Sequence, residues 1–355
     1  CIINQYNHYK NNFAHLLMKH LIIVQILFII CLMAFAHNVT LTDSIKHTPI
    51  SHATIYDVDG KMIGRSDMNG NIDLTKGQTY HVSHIGYESK KFVCDDGNTI
   101  YLSPASYEIP EVSITARKKK FYHCKVYFRS IEHVDSTLKY YYDGIREFFI
   151  DTQTKKIKSN NFVDYYFKSN RQEIAQKKRN FMIMDRYVSL PYIEKNSLYE
   201  EIINDKRQRI EGHIVYGDST QIGMYEISPD KNEIILSSDL LYPKSTYGGH
   251  LFGYTQVLSK HNLTEFYKLT DSAAPTIFDL KSSSRYRHFT LSHKKEGYVR
   301  DIDVEDIFYV VESEYTDTNR TSSHERLKED YEKYSAMYLL DSRIREQLTI
   351  EQQQQ

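Results

Sequence analysis

From residue 37 to about residue 116, apolar and polar positions alternate in short runs separated by turn signals. An alternation of period two puts successive side chains on opposite faces of a strand. Strands are predicted at Val39–Thr42 and Ile50–Tyr56, around Ile72 and Leu74, through Tyr80 and Val82, at Lys91–Val93 and at Thr99–Leu102. Asp59-Gly60 and Asp67-Met68-Asn69-Gly70 are predicted turns: Asp and Asn bond their own backbone, and Gly accepts positive φ. No helical period interrupts the set, and short strands at such spacing predict a small β-sandwich.

Beyond about residue 121 the pattern is coarser. Val126–Val134, Ile145–Ile150 and Ile157–Phe167 read as strands, with a turn at Tyr141-Tyr142-Asp143-Gly144. Further strands are predicted at Ile210–Tyr216, Met224–Ile227, Glu233–Leu236, Leu251–Leu258, Thr276–Leu280, Arg287–Ser292 and Ile302–Tyr315, with a break at Gly248-Gly249. Helices are predicted at Asn170–Arg179, Glu325–Leu340 and Ser342–Ile350, and Gln352–Gln355 as a disordered tail. A helix over Phe121–Tyr142 fits less well, because Ser130 falls on its apolar stripe. Of the 30 tyrosines, 23 lie in residues 121–355, and Tyr with β-branched residues favours a pleated, half-buried surface. The fold class is therefore mainly β. A sandwich over 37–116 is followed by a basic linker over 117–124 and an α+β domain over 125–350. The second domain is expected to be an open, curved antiparallel sheet with helices on one face, by analogy with periplasmic half-barrels that carry lipids or lipoproteins.

Met18-Lys19-His20 precedes an apolar run from Leu21 to Met33 broken only by Gln25, then Ala34-Phe35-Ala36. A basic start, an apolar core and an A-x-A site make a secretory signal, too short to span a bilayer comfortably. Residues 18–36 are the expected signal, residues 1–17 are expected not to be translated, and the mature chain is expected to start at His37. Cys31 follows Ile29-Ile30 inside the apolar core, which does not fit a lipoprotein signal. The full chain has 45 basic and 46 acidic residues. Without Lys10 and Lys19 it has 43 against 46, net −3, which argues against a nucleic-acid partner. Two cysteines remain, Cys94 and Cys124. They fall in different units, so two buried thiols are expected rather than a bridge.

Four segments carry a resemblance: Pro49–Ile55, Gly64–Ile72, Val82-Ser83-His84-Ile85-Gly86-Tyr87, and Leu102–Ala116 with its Glu111-Val112-Ser113-Ile114-Thr115-Ala116 exit. In this order and spacing they resemble the carboxypeptidase regulatory-like domain, over about 80 of the 355 residues. That family stands at the N-terminus of TonB-dependent outer-membrane receptors and of other exported proteins of Gram-negative bacteria. The resemblance implies a transthyretin-like seven-stranded sandwich serving as a structural or interaction module, not a peptidase. Tyr127–Ser130, Tyr141–Gly144 and Arg146–Phe149 are similar to uncharacterised regions that follow such domains.

Chemistry is sparse. There is no G-x-S-x-G, P-loop, G-x-G-x-x-G or H-E-x-x-H. His293-Lys294-Lys295-Glu296 has the H-x-x-E spacing of a zinc site, but two lysines beside it favour a solvated hairpin tip. His81 and His84 fall on opposite faces of a strand, and Asp67 reads as a turn residue. His213, His250, His261 and His288 could meet only through the fold. Asp301, Asp303 and Glu305 share one strand face, expected to be solvated with Ile302 and Val304 inward. Arg117–Lys120 is expected to be a solvated linker. Some rings of Tyr140–Tyr142 and Tyr165-Tyr166 are expected at the surface, where Tyr is common in binding sites. No catalytic, cofactor-binding or metal-binding residues are assigned. The expected role is an exported, non-enzymatic protein of the periplasm or outer-membrane periphery that binds a protein, glycan or lipid. The alternative is a hydrolase with an unfamiliar site in the second domain.

Overall fold

The computed structural model describes residues 36–95, 97, 99–105, 119–168, 187–228, 232–251, 253–271, 273–295, 297–338 and 344. The expected signal apart from Ala36, the 106–118 exit, Asn170–Arg179 and the C-terminal tail lie outside the described residues, as does Ser342–Ile350 apart from Ile344. The chain is mainly β. Its first seven strands are β1 (Ala36–Asp43), β2 (Thr54–Tyr56), β3 (Met62–Arg65), β4 (Asn71–Thr75), β5 (Thr79–His84), β6 (Tyr87–Val93) and β7 (Thr99–Leu102). They form a three-stranded sheet, β4-β1-β7, and a four-stranded sheet, β3-β2-β5-β6. Val39, Leu41, Ile72, Leu74 and Leu102 of the first sheet pack on Ile55, Tyr80, Val82 and Phe92 of the second, which makes a sandwich. The Asp67 carboxylate accepts the Asn69 and Asn71 amides at 2.8 Å, as a turn residue should. Gly70 has φ +76°, and a Cβ there would meet Leu41 O at 2.5 Å. Of the predicted Ile50–Tyr56 strand only Thr54–Tyr56 pairs. Its first half is bent away: His52 has φ 60°, and the Ser66 hydroxyl bonds both Ile50 O and Ala53 N.

The second sheet begins with β8 (Phe121–Val134), so Phe121–Cys124 belong to it and not to a linker. β9 (Thr137–Asp151) and β10 (Ile157–Lys168) follow, then α1 (Leu198–Asn204), β11 (Gln208–Ile210), β12 (His213–Tyr216), β13 (Gln221–Ser228) and β14 (Glu233–Asp239). β15 (Tyr247–Leu251), β16 (Tyr254–Lys268), β17 (Leu280–His293), β18 (Tyr298–Thr316) and α2 (His324–Met337) complete it. The eleven strands lie in the order β10-β9-β8-β18-β17-β16-β14-β13-β12-β11, with β15 on β16, and every pair is antiparallel.

Four local expectations change. The predicted break at Gly248-Gly249 lies inside β15, and the predicted Leu251–Leu258 strand is split by the turn at Gly253, which has φ +85°. The predicted turn at Tyr141–Gly144 is the middle of β9; the chain reverses instead at Asp135-Ser136, both at positive φ. Ile210–Tyr216 is a hairpin turning at Gly212, which has φ +77°. Thr276–Leu280 is not a strand: Ile277–Asp279 form a single 3₁₀ turn in which the Asp279 carboxylate accepts from the Thr276 amide and hydroxyl.

The middle of the sheet is covered on both sides, which explains why β8 and β9 are buried almost throughout rather than alternately. On the front face Cys124, Val126, Phe128, Phe148, Leu263 and Phe308 pack under α1 and Ile193. On the back face Tyr127, Ile145, Tyr309 and Val311 pack under Leu327, Tyr334 and Tyr338 from α2 and its end. The two helices thus take opposite faces. Of the tyrosines among which some are expected at the surface, Tyr140 and Tyr141 are buried and Tyr142 is half-buried; the burial of Tyr165 and Tyr166 lies outside the description.

The sandwich docks on the back face. Tyr56 and Met62 join Ile131, Leu138, Tyr141 and Tyr286 in one cluster. Arg65 lies 4.3 Å over the Tyr286 ring and 3.7 Å from Glu305, and Lys46 reaches Glu226 at 2.8 Å. The acidic row expected to face solvent is therefore part of this contact. Asp301 stays exposed, but Asp303 accepts from Tyr286 Oη at 2.5 Å and contacts His288 Nδ1 at 2.8 Å. Ile302 and Val304 point inward, as predicted. Gly86 abuts Phe266, where a Cβ would lie 2.8 Å from the ring. Cys94 in the sandwich and Cys124 in the sheet are both buried and free, with burial pushing the Cys124 thiol up to about 12.

Candidate functional site

Residues 187–197 cross the front face as an irregular strap. An irregular chain on a sheet must satisfy its backbone elsewhere, and the strand side chains do this. Glu132 accepts the Tyr187 amide at 2.6 Å, and Ser130 Oγ accepts the Ser189 amide at 3.1 Å. Arg287 donates to Tyr187 O at 3.3 Å, and Arg146 to Pro191 O at 3.5 Å. The strap ends in a capping box: Ser197 Oγ accepts the Glu200 amide, and the Glu200 carboxylate accepts the Ser197 amide. Leu198 N then donates to Tyr267 Oη at 2.9 Å and to buried Glu265 at 3.2 Å. Burial raises the Glu265 carboxyl pKa against the hydrogen bonds that lower it.

Between strap and sheet lies a small, shallow cleft open to solvent. Its floor is Phe128 and Phe308, and its rim is Leu190, Pro191 and Tyr192. Ser189, Ser283, Arg285 and Asp306 supply polar groups. Tyr192 is 62% exposed, high for a ring of its size. Asp306 is fixed by Ser130 Oγ at 2.5 Å, Ser189 Oγ at 3.1 Å and Arg287 at 2.6 Å. Arg285 is tied to Glu194 at 3.3 Å on the strap. Nearby His261 is held down to about 4, first by burial and then by Arg285 and Arg287, so it stays neutral at pH 7. The cleft thus pairs an apolar floor and an exposed ring with a few oriented hydrogen-bonding groups. Such a site suits an uncharged polar ligand with one apolar face.

The residues singled out from sequence do not gather here. Lys294-Lys295 form the exposed turn between β17 and β18, as expected of a hairpin tip, but His293 itself is buried at the end of β17 against the Tyr254 ring, 4.5 Å between centroids; Glu296 lies outside the described residues. His213 and His250 are exposed on separate strands, His261 faces front and His288 faces back. Among the described residues no group of three His, Cys, Asp or Glu is placed to hold a metal ion. One cluster has the residue types of a catalytic triad, but not its wiring. His123 Nε2 lies 3.1 Å from Glu147 Oε1, and Ser322 Oγ donates to the same oxygen at 2.6 Å. A serine activated for attack bonds the histidine; here Ser322 and His123 both serve a fully buried carboxylate. Burial pushes the Glu147 carboxyl up, and the bonds from His123 and from the Ser322 side chain and amide outweigh it and hold it below its usual range. Sequence reasoning missed the strap and Tyr192. The one signal available was Ser197-x-x-Glu200, which marks the start of α1.

Among the described residues no helix is long and apolar enough to cross a membrane. No family model and no curated protein matches this chain. Among solved structures, one of lipovitellin, described for its lipid–protein interactions, is similar over 59% of this chain at 11% identity and a TM-score of 0.29. This chain spans 27% of that one.

Proposed function

We propose that this is an exported, non-enzymatic protein of the bacterial envelope whose second sheet binds a glycan in the front cleft. The carrying observation is an exposed Tyr192 beside the oriented Ser189, Arg285 and Asp306 over a phenyl floor. A sugar ring offers an apolar face to stack on tyrosine and hydroxyls to pair with fixed donors and acceptors. A lipid chain is less well served, because helices and the sandwich occupy the apolar faces of the sheet. Export rests on the Met18–Ala36 signal pattern. The regulatory-like sandwich serves as a brace: ion pairs, a cation–π contact and the Tyr56–Met62 cluster fasten it to the back of the sheet.

The test is a glycan array in parallel with flotation on phospholipid vesicles. Binding on the array that weakens about ten-fold or more, about 1.4 kcal/mol, in Tyr192→Ala supports the reading. Vesicle binding without array binding, or array binding indifferent to Tyr192→Ala, overturns it.

A further inference from the structure

A strand at a sheet edge offers unpaired backbone groups to any extended chain, and folded proteins blunt such edges with charge, bulges or cover. Most edges of this molecule are blunted. β10 carries Lys158, Asp164 and Lys168, and β11 carries Arg209. β6 carries Glu88, Lys90 and Lys91, and β4 carries Asp73. β3 ends at Arg65, and β7 is covered where Lys90 donates to Tyr101 O and the Glu88 amide to Ser103 O.

β15 is different. Tyr247-Gly248-Gly249-His250-Leu251 pairs only with β16, and all five residues are exposed. It contains no Lys, Arg, Asp or Glu. Among the described residues its outer edge meets no other strand. Its cross-strand partners put Tyr247 and Leu251 on the same face as Leu258 and Tyr254, which continue the cluster formed with Phe289 and Leu291.

The occupant that fits is a second copy of the same strand. Aligned antiparallel about Gly249, the segment sets Tyr247 against the other copy's Leu251, on one face, and Gly248 against His250. Gly249 falls opposite itself, with Tyr247 diagonal to it. Identical residues face each other near a two-fold axis, so a charge there would repel its own copy, and the strand has none. Gly248 permits the close ladder to β16, where a Cβ would meet Gln256 O at 2.5 Å, whereas Gly249 opens onto free space. We propose that β15 is the contact through which two copies of this chain pair edge to edge, joining their large sheets into one. A five-residue edge is well below the ~1,200 Å² of a standard stable interface, so the pairing is weak and reversible. It is independent of what the front cleft binds.

The experiment is sedimentation velocity of the full mature chain from micromolar to near-millimolar concentration, with three variants. The wild type is expected to pass from monomer to dimer mass as concentration rises. Tyr247→Lys, at a position 65% exposed and so tolerant of change, is expected to stay monomeric with an unchanged circular-dichroism spectrum. Gly249→Cys places a thiol on the two-fold axis, while both native cysteines of the mature chain are buried. Under mild oxidation it is expected to form a disulfide dimer at least about ten-fold faster than Ile203→Cys, exposed on α1, because pairing raises the effective concentration of the two thiols. Monomer mass at every concentration, equal cross-linking rates for the two cysteine variants, or association that survives Tyr247→Lys would each overturn the proposal.

Discussion

Asp330 should be the residue whose loss most loosens the C-terminal helix. It is 2% exposed on α2, with Oδ2 at 2.7 Å from Lys125 Nζ of β8 and Oδ1 at 3.3 Å from Arg326 Nε. Lys125 is itself buried, and its second partner is Glu312 at 2.9 Å. Removing one member of a buried pair costs about 3–5 kcal/mol, because the other charge is left without compensation. Glu312 remains for Lys125, so Asp330→Ala should fall at the low end, about 3 kcal/mol. The control is on the same helix. Glu329 meets Arg326 at 3.7 Å with both side chains more than half exposed, and Glu329→Ala should cost under about 0.5 kcal/mol. Urea unfolding followed by circular dichroism would measure both. The double change Lys125→Met with Asp330→Leu should recover much of the loss, since it removes both buried charges. Equal costs for Asp330→Ala and Glu329→Ala would show that the buried pair does not anchor the helix. A double variant as weak as the single one would show that stranded charge is not the cause.

Acid should destabilise the fold before its carboxylates titrate. Burial holds His133 down to about 4, against about 6.5 in an unfolded chain, so only the unfolded state gains a proton as pH falls between those values. Stability should be level above pH ~6.5 and drop by about 3 kcal/mol on this account by pH ~4, with His52 and His261 acting in the same direction; His133→Phe should flatten the slope of urea midpoint against pH. Gly86→Ala would push a methyl to within 2.8 Å of the packed Phe266 ring and should cost about 1–3 kcal/mol by the same unfolding assay, whereas Gly249→Ala should be near neutral. Ser197→Ala removes the α1 cap and should cost about 1 kcal/mol, with faster amide exchange at Leu198–Ile202 as the readout.

Much of the β architecture was legible because alternation and turn chemistry are local. Ile72 and Leu74 point inward and Asp73 outward as their spacing requires, and Asp67 to Gly70 turn where Asp and Gly should. The reading lost accuracy wherever a distant part of the chain supplied the environment. Asp143-Gly144 looked like a turn because Asp and Gly usually sit in water. In the fold Tyr127, Tyr141 and Tyr331 hydroxyls surround the Asp143 carboxylate at 2.8–3.0 Å, which lets a strand carry it inside. The Asp301–Glu305 row looked solvated because nothing in its own strand says that Arg65, more than two hundred residues earlier, lies over it. The cleft was the least legible part. Ser189 to Tyr192 follow no period, and their positions are set by side chains of β8, β9, β17 and β18. Conversely, Gly86, noticed only as part of a motif, has a physical role at the contact between the two units.

The most direct test of the central claim is amide hydrogen exchange of the full mature chain with and without the tightest glycan from the array. Ligand in the front cleft should slow exchange at residues 189–192 of the strap and at 283–285 and 306–308 beneath it, and leave the sandwich unchanged. Protection confined to the sandwich or to α2, or none at saturating glycan, would contradict the assignment of this cleft as the binding site.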